Sequence, residues 1–225
     1  RSLMILINMH KETPYLQRQV NEKKRLNDLL NHLGQLLPDI KHRKDFFKYS
    51  QLPPPASVRL NTIVKPTNHL ILNLREQCNS VPWCKDGFVL PDDSIPLGHT
   101  LEHAMGAIYI QAKAPMLAVE TLAPEPGERV LDLCAAPGGK TTQIAARMHN
   151  TGLLIANDMN PKRLPSLVSN IERCGVANAI VTKTYGTNLA RYFHNYFDKI
   201  LVDAPCSGDG IVRKNLNLLR YWSPQ

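Results

Sequence analysis

The sequence of 225 residues predicts an α/β chain. A doubly wound parallel sheet is expected from about residue 100 onward, preceded by a small mixed α+β domain and a helical N-terminal segment. Three observations predict this. From residue 129, short apolar runs alternate with segments of helical periodicity, as strands covered on both faces do. Before residue 100 that alternation is missing, and prolines break up β-branched stretches. Finally, the polar residues able to do chemistry fall at the C-terminal ends of the predicted strands, where open parallel sheets bind their ligands.

The elements follow in order. Residues 15–37 carry Leu16, Val20, Leu26, Leu29, Leu30, Leu33, Leu36 and Leu37 at helical spacing, which predicts an amphipathic helix that Pro38 ends. "QLPPPASVRLNTI" leads into a strand through Val58, Leu60 and Ile63. "TNHLILNLREQCN" reads as a helix, "VPWCKDGFVLPDD" as short strands and turns, and residues 100–122 as helical segments. Then come a strand at 129–134, a helix at 140–149, a strand at 152–158 and a helix at 161–175. That last helix is expected to have Pro161 in its first turn and Gly175 at its end. Strands at 179–185 and 198–204 complete the pattern. The expected organisation is a helical segment over 1–50, a small α+β subdomain over 51–100, and a ligand-binding domain over 101–225.

Composition narrows the function. No apolar run approaches the ~18 residues of a membrane span, and the opening residues are not expected to be a secretory signal. Cys78, Cys84, Cys134, Cys174 and Cys206 are odd in number and scattered, which argues against a disulfide framework and for a reducing, cytoplasmic setting. Cys78 and Cys84 lack two further ligands, so no metal is expected. Net charge is +8, and residues 1–50 hold ten Lys or Arg against five Asp or Glu. A basic lobe beside a near-neutral one fits a polyanion such as nucleic acid, though a solvated Lys-rich surface gives the same count. A monomer is expected.

"LDLCAAPGGKTT" (131–142) is the most informative stretch. Gly139, Lys140 and Thr141 match the end of a phosphate loop. Its first glycine would stand at 134, which is Cys, and Pro137 removes an N–H from the cradle. A nucleotide-hydrolysing domain therefore fits poorly. The better reading is a strand ending in Asp132 that turns through Ala135, Ala136, Gly138 and Gly139, small enough for a ligand to approach the backbone. The following helix start suits a carboxylate. Asp158, ending the next strand, can accept two ribose hydroxyls, with Asn160 left to cap the helix after it. In "VDAPCSGDG" (202–210), Asp203 lies at a strand tip and Pro205 stiffens the turn that presents Cys206. A thiol there is nucleophilic only if its pKa is lowered.

"LDLCAAPGGKT" together with "DAPCSGDG" resembles the RNA (cytosine-5) methyltransferases of the Nop/Sun group, which includes bacterial ribosomal-RNA enzymes. "SVRLNT" (57–62) resembles the strand of that family's N-terminal RNA-binding subdomain, and the likeness runs over nearly all of residues 50–225. The resemblance implies a Rossmann-like class I methyltransferase sheet. It implies S-adenosylmethionine held by Cys134, Ala135, Ala136, Pro137, Gly138, Gly139, Lys140, Asp158 and Asp203, and RNA (ribosomal or transfer) as partner. Arg59 and Asn61 become expected RNA contacts by resemblance alone. Carbon 5 of cytosine is too electron-poor to attack the methyl donor until a cysteine thiolate adds to carbon 6. In this family Cys206 would assist proton loss and product release, Asp203 and Lys140 would touch the base or activate a thiol, and the covalent nucleophile belongs to a later Thr-Cys motif. Cys206 as nucleophile is the alternative pattern, that of DNA cytosine-5 methyltransferases.

Two departures stand out. The family's acidic residue at the end of the third strand, on the adenine side, is replaced by Tyr185 or Thr187. The chain starts at Arg1 and stops at Gln225 without a Thr-Cys motif or the last three of seven strands, so it is expected to be truncated and, alone, not to turn over. A non-catalytic RNA-binding remnant of the same fold is the other reading.

Overall fold

The computed structural model describes residues 24–37, 39–50, 52, 54–91 and 97–204. Residues Pro54–Ala204 form one compact unit, and the described residues before it belong to a second. In that second unit residues 24–35 form helix α1, within the predicted amphipathic segment, with Leu29 and Leu30 buried. Helix α2, Ile40–Ser50, lies within the expected helical segment of residues 1–50 but was not singled out as a separate helix. The Asp39 carboxylate accepts from the His42 N–H at 2.8 Å and caps it.

The larger unit contains two sheets. In the first, β1 (Ser57–Leu60), β2 (Asn79–Val81), β3 (Cys84–Val89) and β4 (Ile108–Ile110) pair antiparallel in the order β2-β3-β1-β4. Val58 pairs with both Phe88 and Ile110. Its apolar face, with Val58, Leu60, Phe88, Leu90 and Ile108, packs on Leu70, Ile71 and Leu74 of helix α3, Asn68–Gln77. Ile63 lies past the strand, in a bend. Residues 108–110, expected to be helical, instead complete this sheet, because Tyr109 and its neighbours continue a ladder that Val58 and Leu60 begin. Helix α4, Leu101–Ala104, precedes β4 and helix α5, Lys113–Leu122, follows it.

The second sheet is wholly parallel. Its strands β5 (Arg129–Asp132), β6 (Leu153–Asn157), β7 (Ala179–Thr182) and β8 (Lys199–Leu201) run in the order β7-β6-β5-β8. Side-chain alternation divides its faces. Val130 and Leu154 pack with Val119 of α5 and with Ile144 and Met148 at helix α6, Gly139–Arg147. Ala156 packs with Leu167 and Ile171 of helix α7, Leu164–Arg173. Leu131 and Ile155 point the other way, to Leu189 of helix α8, Gly186–Tyr192. Helices on both faces make the doubly wound architecture that the alternating runs predicted.

Two details of α7 differ from expectation. It begins after Arg163 with Pro165 in its first turn, while Pro161 sits in a preceding turn. Gly175 does end it, with φ +67°. Among the described residues no helix is long and apolar enough to cross a membrane.

Candidate active site

The strand order reverses at β5. From it the chain moves outward to β6 and β7, then returns to place β8 on its other side. Such a switch leaves a crevice at the carboxyl ends of the two central strands. The loop after β5 (residues 133–138) and the residues after β8 (202–204) both open there.

The loop is held from within. The Leu133 N–H donates to Leu201 O (3.0 Å), that of Ala135 to Asn157 O (2.8 Å), and that of Gly138 to Ala135 O (2.8 Å). The Ala136 N–H donates to Asp158 Oδ2 at 3.1 Å. Pro137 has none, and Asn170 Nδ2 donates to its carbonyl at 2.9 Å. A phosphate nest needs these same N–H groups pointing outward. They are spent on the fold, so the nucleotide-hydrolysing reading fails on geometry as it did on sequence. What remains for a ligand is the first turn of α6, whose N–H groups have no carbonyl behind them within the helix.

The glycines are required for a reason other than the one anticipated. Gly138 has φ +109°, and a Cβ on it would stand 3.2 Å from Leu167 Cδ1. On Gly139 it would stand 2.8 Å from Gln111 Oε1 and 3.2 Å from Tyr109. Both directions lead into the protein, not toward the crevice. Ala135 and Ala136 are likewise buried, against Ala156 and Leu167. Small residues here let α7 and β4 close on the loop from behind.

Asp158 was expected to stand free while Asn160 capped the next helix. It does not. The residue is only 4% exposed. Its Oδ2 accepts from Ala136 N–H and lies 3.3 Å from Arg163 Nη1, while Oδ1 accepts from the Asn160 N–H at 2.9 Å. Arg163, which the sequence reading missed, also donates to the Ala136 carbonyl. The carboxylate thus ties the β6 tip to the loop. Its four lone-pair sites are not exhausted by three donors, and Arg163 is half-exposed and displaceable.

Lys140, in the first turn of α6, places Nζ 2.5 Å from Asp203 Oδ2, across the crevice between β5 and β8. The pair is open to solvent on the Asp203 side. Below it lies Asp132, whose Oδ2 accepts from the Thr141 hydroxyl at 2.7 Å while its buried Oδ1 has no protein partner. Burial pushes this carboxyl up to about 6; the Thr141 bond and the Lys140 charge offset part of that, and Asp203 adds to it. Cys134 is partly buried, with its thiol pushed up by burial and by Asp158, which makes it a poor nucleophile. Cys206 lies outside the described residues.

A second missed residue organises the whole edge. Asn157, 2% exposed, ends β6. Its Nδ2 donates to Leu133 O and Thr184 O, and its Oδ1 accepts from the Thr184 N–H and the Thr182 hydroxyl, all at 3.0 Å. One amide fixes the exits of β5 and β7 relative to β6. The only sequence signal was an amide in an otherwise apolar strand.

Arg59 and Asn61 are not at this site and are buried rather than presented on the surface. Arg59 is 2% exposed; its Nη2 donates to Thr142 Oγ1 of α6 at 2.9 Å, and its ring-side neighbour is Tyr109. It forms part of the wall of a cavity of about 350 Å³ that Asp86, Glu120 and Arg147 also line. Desolvation pulls its pKa down. Asn61, fully buried, donates to Gly106 O (2.9 Å) and Cys174 O (2.8 Å). Both brace the antiparallel sheet against α6 and α7, a role that the strand's alternation alone could not reveal.

Known proteins resemble this chain. Residues 119–223 match the family described as 16S rRNA methyltransferase RsmB/F, and residues 27–113 match the N-terminal domain of 16S rRNA methyltransferase RsmF. Ribosomal RNA small subunit methyltransferase F of Shewanella loihica is 40% identical over 204 residues, covering 87% of this chain and 42% of its own length. The protein of the same name from Klebsiella pneumoniae is 44% identical over 190 residues, covering 80% and 40%. The chain thus spans about two fifths of the length of the curated relatives it matches. A methyltransferase homolog protein from Pyrococcus horikoshii superposes with a TM-score of 0.67 at 32% identity, covering 86% of this chain and 68% of that one.

Proposed function

The chain belongs to the RsmB/F family of 16S rRNA methyltransferases, and we propose that it carries the methyl-donor half of a reaction that methylates carbon 5 of a cytosine in ribosomal RNA. One observation carries the reading. Four segments far apart in sequence, Cys134–Lys140, Asn157–Asp158, Asp203 and the tip of β7, meet at one carboxyl edge through direct bonds between their side chains and backbones.

The residues fit S-adenosylmethionine. The first turn of α6, at Gly139 and Lys140, suits the donor's carboxylate. Asp158 suits the ribose hydroxyls, with Arg163 swinging off to admit them. The unpartnered Oδ1 of Asp132 and the Asp203 carboxylate supply negative charge for a cationic donor. When bound, S-adenosylmethionine supplies an electrophilic methyl group on a sulfonium.

The chain's own residues position the base and assist release, while the thiolate that adds to carbon 6 belongs to the Thr-Cys motif expected beyond them. Lys140 is held over the crevice by Asp203, where it can place a charged N–H donor on the polar edge of a cytosine. A cysteine thiolate adds to carbon 6, carbon 5 takes the methyl group, its proton leaves, and the cysteine is eliminated. Cys206, three residues past Asp203, is the thiol that assists proton loss and release. The basic lobe grips phosphates without reading sequence. The protein works as a monomer, without a metal, in the reducing cytoplasm where ribosomal RNA is made.

Two measurements test this. Calorimetric titration of S-adenosylhomocysteine into the full-length protein is expected to show one site, lost in Asp158→Ala. Labelled methyl transfer to 16S ribosomal RNA, read as 5-methylcytosine, is expected with the full-length protein and strongly reduced when it carries Lys140→Met. Binding without any transfer would leave a non-catalytic RNA-binding protein of the same fold.

A further inference from the structure

The order of strands gives the bound donor a direction. If the donor site is the one proposed above, its reactive end belongs with Lys140 and Asp203, at the tips of β5 and β8. Its ribose belongs one strand over, at Asp158 on β6. Continuing along the carboxyl edge leads, among the described strands, to β7 alone, because the sheet order is β7-β6-β5-β8. One more strand step, about 4.8 Å, matches the step from a ribose to its base.

The first aromatic side chain after β7 is Tyr185. It is 61% exposed, although it sits on firmly held backbone. The Asn157 side chain binds both the N–H and the carbonyl of Thr184, immediately before it. Gly186, immediately after it, lies so close to Leu133 that a Cβ there would stand 3.3 Å from the Leu133 side chain. The Tyr185 carbonyl accepts from the Asn188 N–H at 2.9 Å, fixing the turn into α8. Leu133, the residue before Cys134, is therefore a packing neighbour of this turn. By contrast, Phe193 and Phe197 of the same segment are folded in against Leu131 and Leu189. An exposed aromatic ring on held backbone, just past the tip of the strand beside the ribose position, is a surface for a flat partner.

We propose that the Tyr185 ring is the platform on which the adenine of the methyl donor stacks. This rests on the donor-site reading above. A ring presents a face and no carboxylate, so adenine is held by its π-surface and not through its 6-amino group. The chain therefore tolerates changes at that amino group that a site built on hydrogen bonds would reject.

Calorimetry on the full-length protein with S-adenosylhomocysteine, and with its inosine counterpart carrying oxygen in place of the amino group, tests this. Tyr185→Ala is expected to weaken both ligands about tenfold, toward the low end of measured base–aromatic stacks. Tyr185→Phe, which keeps the ring, is expected to stay within about twofold for both ligands, since the stack needs no hydroxyl. The thermal midpoint of each variant should match the wild type, because the side chain is exposed. Unchanged affinity in Tyr185→Ala overturns the assignment. So does a Tyr185→Phe variant as weak as Tyr185→Ala, or a wild type that rejects the inosine ligand. If Asp158→Ala loses binding while Tyr185→Ala does not, only the stacking role falls. If the wild type binds neither ligand, the donor site falls and the stacking role with it.

Discussion

Replacing Asn157 by Ala should damage both stability and donor binding, and the size of the effect follows from its bonds. The change leaves Leu133 O, Thr184 O, the Thr184 N–H and the Thr182 hydroxyl without their partner. A stranded buried polar group costs about 1–3 kcal/mol. Leu133, Thr182 and Thr184 are only partly buried, so water can reach some of these atoms and the low end applies. Four groups at about 1 kcal/mol each give a loss of about 3–4 kcal/mol. In urea, at a slope of about 2.5 kcal/mol/M, the midpoint should fall by roughly 1–2 M. S-adenosylhomocysteine affinity should fall as well under conditions where the variant is still folded, because the β5 and β7 exits lose their common anchor. Asn157→Asp is a sharper probe. It keeps an acceptor for the Thr184 N–H but turns a carboxylate oxygen toward two carbonyls, and it should be no better than Ala. A loss below about 1 kcal/mol in Asn157→Ala, within the range of an ordinary surface change, would refute the anchoring argument.

Three further outcomes are expected. Asp132 has a folded pKa of about 6 against an ordinary 3.8, so the folded state holds its proton longer, and its contribution to stability is lost as pH rises from about 4 to about 6. Relative to wild type, Asp132→Asn should gain stability with increasing pH across that window, by up to about 3 kcal/mol above pH 7, as read by urea unfolding; a pH-independent difference would contradict this. Gly139→Ala should raise the urea sensitivity, since its Cβ meets Gln111 Oε1 at 2.8 Å, and Gln111→Ala in the same chain should restore most of the loss. Arg59→Met should leave RNA affinity and its salt dependence unchanged, because the guanidinium is buried and an apolar side chain of similar volume can replace it; a drop in the salt slope by about one unit would mark a phosphate contact instead.

How much of this was legible before the structure depended on where each signal lies. The parallel sheet was readable because runs such as "GLLIAND" carry their own burial pattern, two faces covered, over a few consecutive residues. The loop at 134–140, Asp158 and Asp203 were readable because a ligand crevice must form at strand ends, and strand ends can be found from local sequence. Short elements were less legible. Residues 108–110 are apolar enough for helix or strand, and only the ladder with β1 decides. Helix α2 was not singled out because its polar sequence has no apolar stripe.

The sequence by itself determined the fold class, the order of its parts and which polar residues stand at the ligand edge, since these depend on neighbours in the chain. Only the tertiary structure decided what those residues do there. Asn157 and Arg163 matter through partners 24–27 residues away. Gly139 is small because Gln111 and Tyr109 arrive from another sheet. Arg59 and Asn61 turn inward because α6 and α7 offer them acceptors. Packing and hydrogen bonding act over a few ångströms in space whatever the separation in sequence, so a one-dimensional pattern cannot contain them.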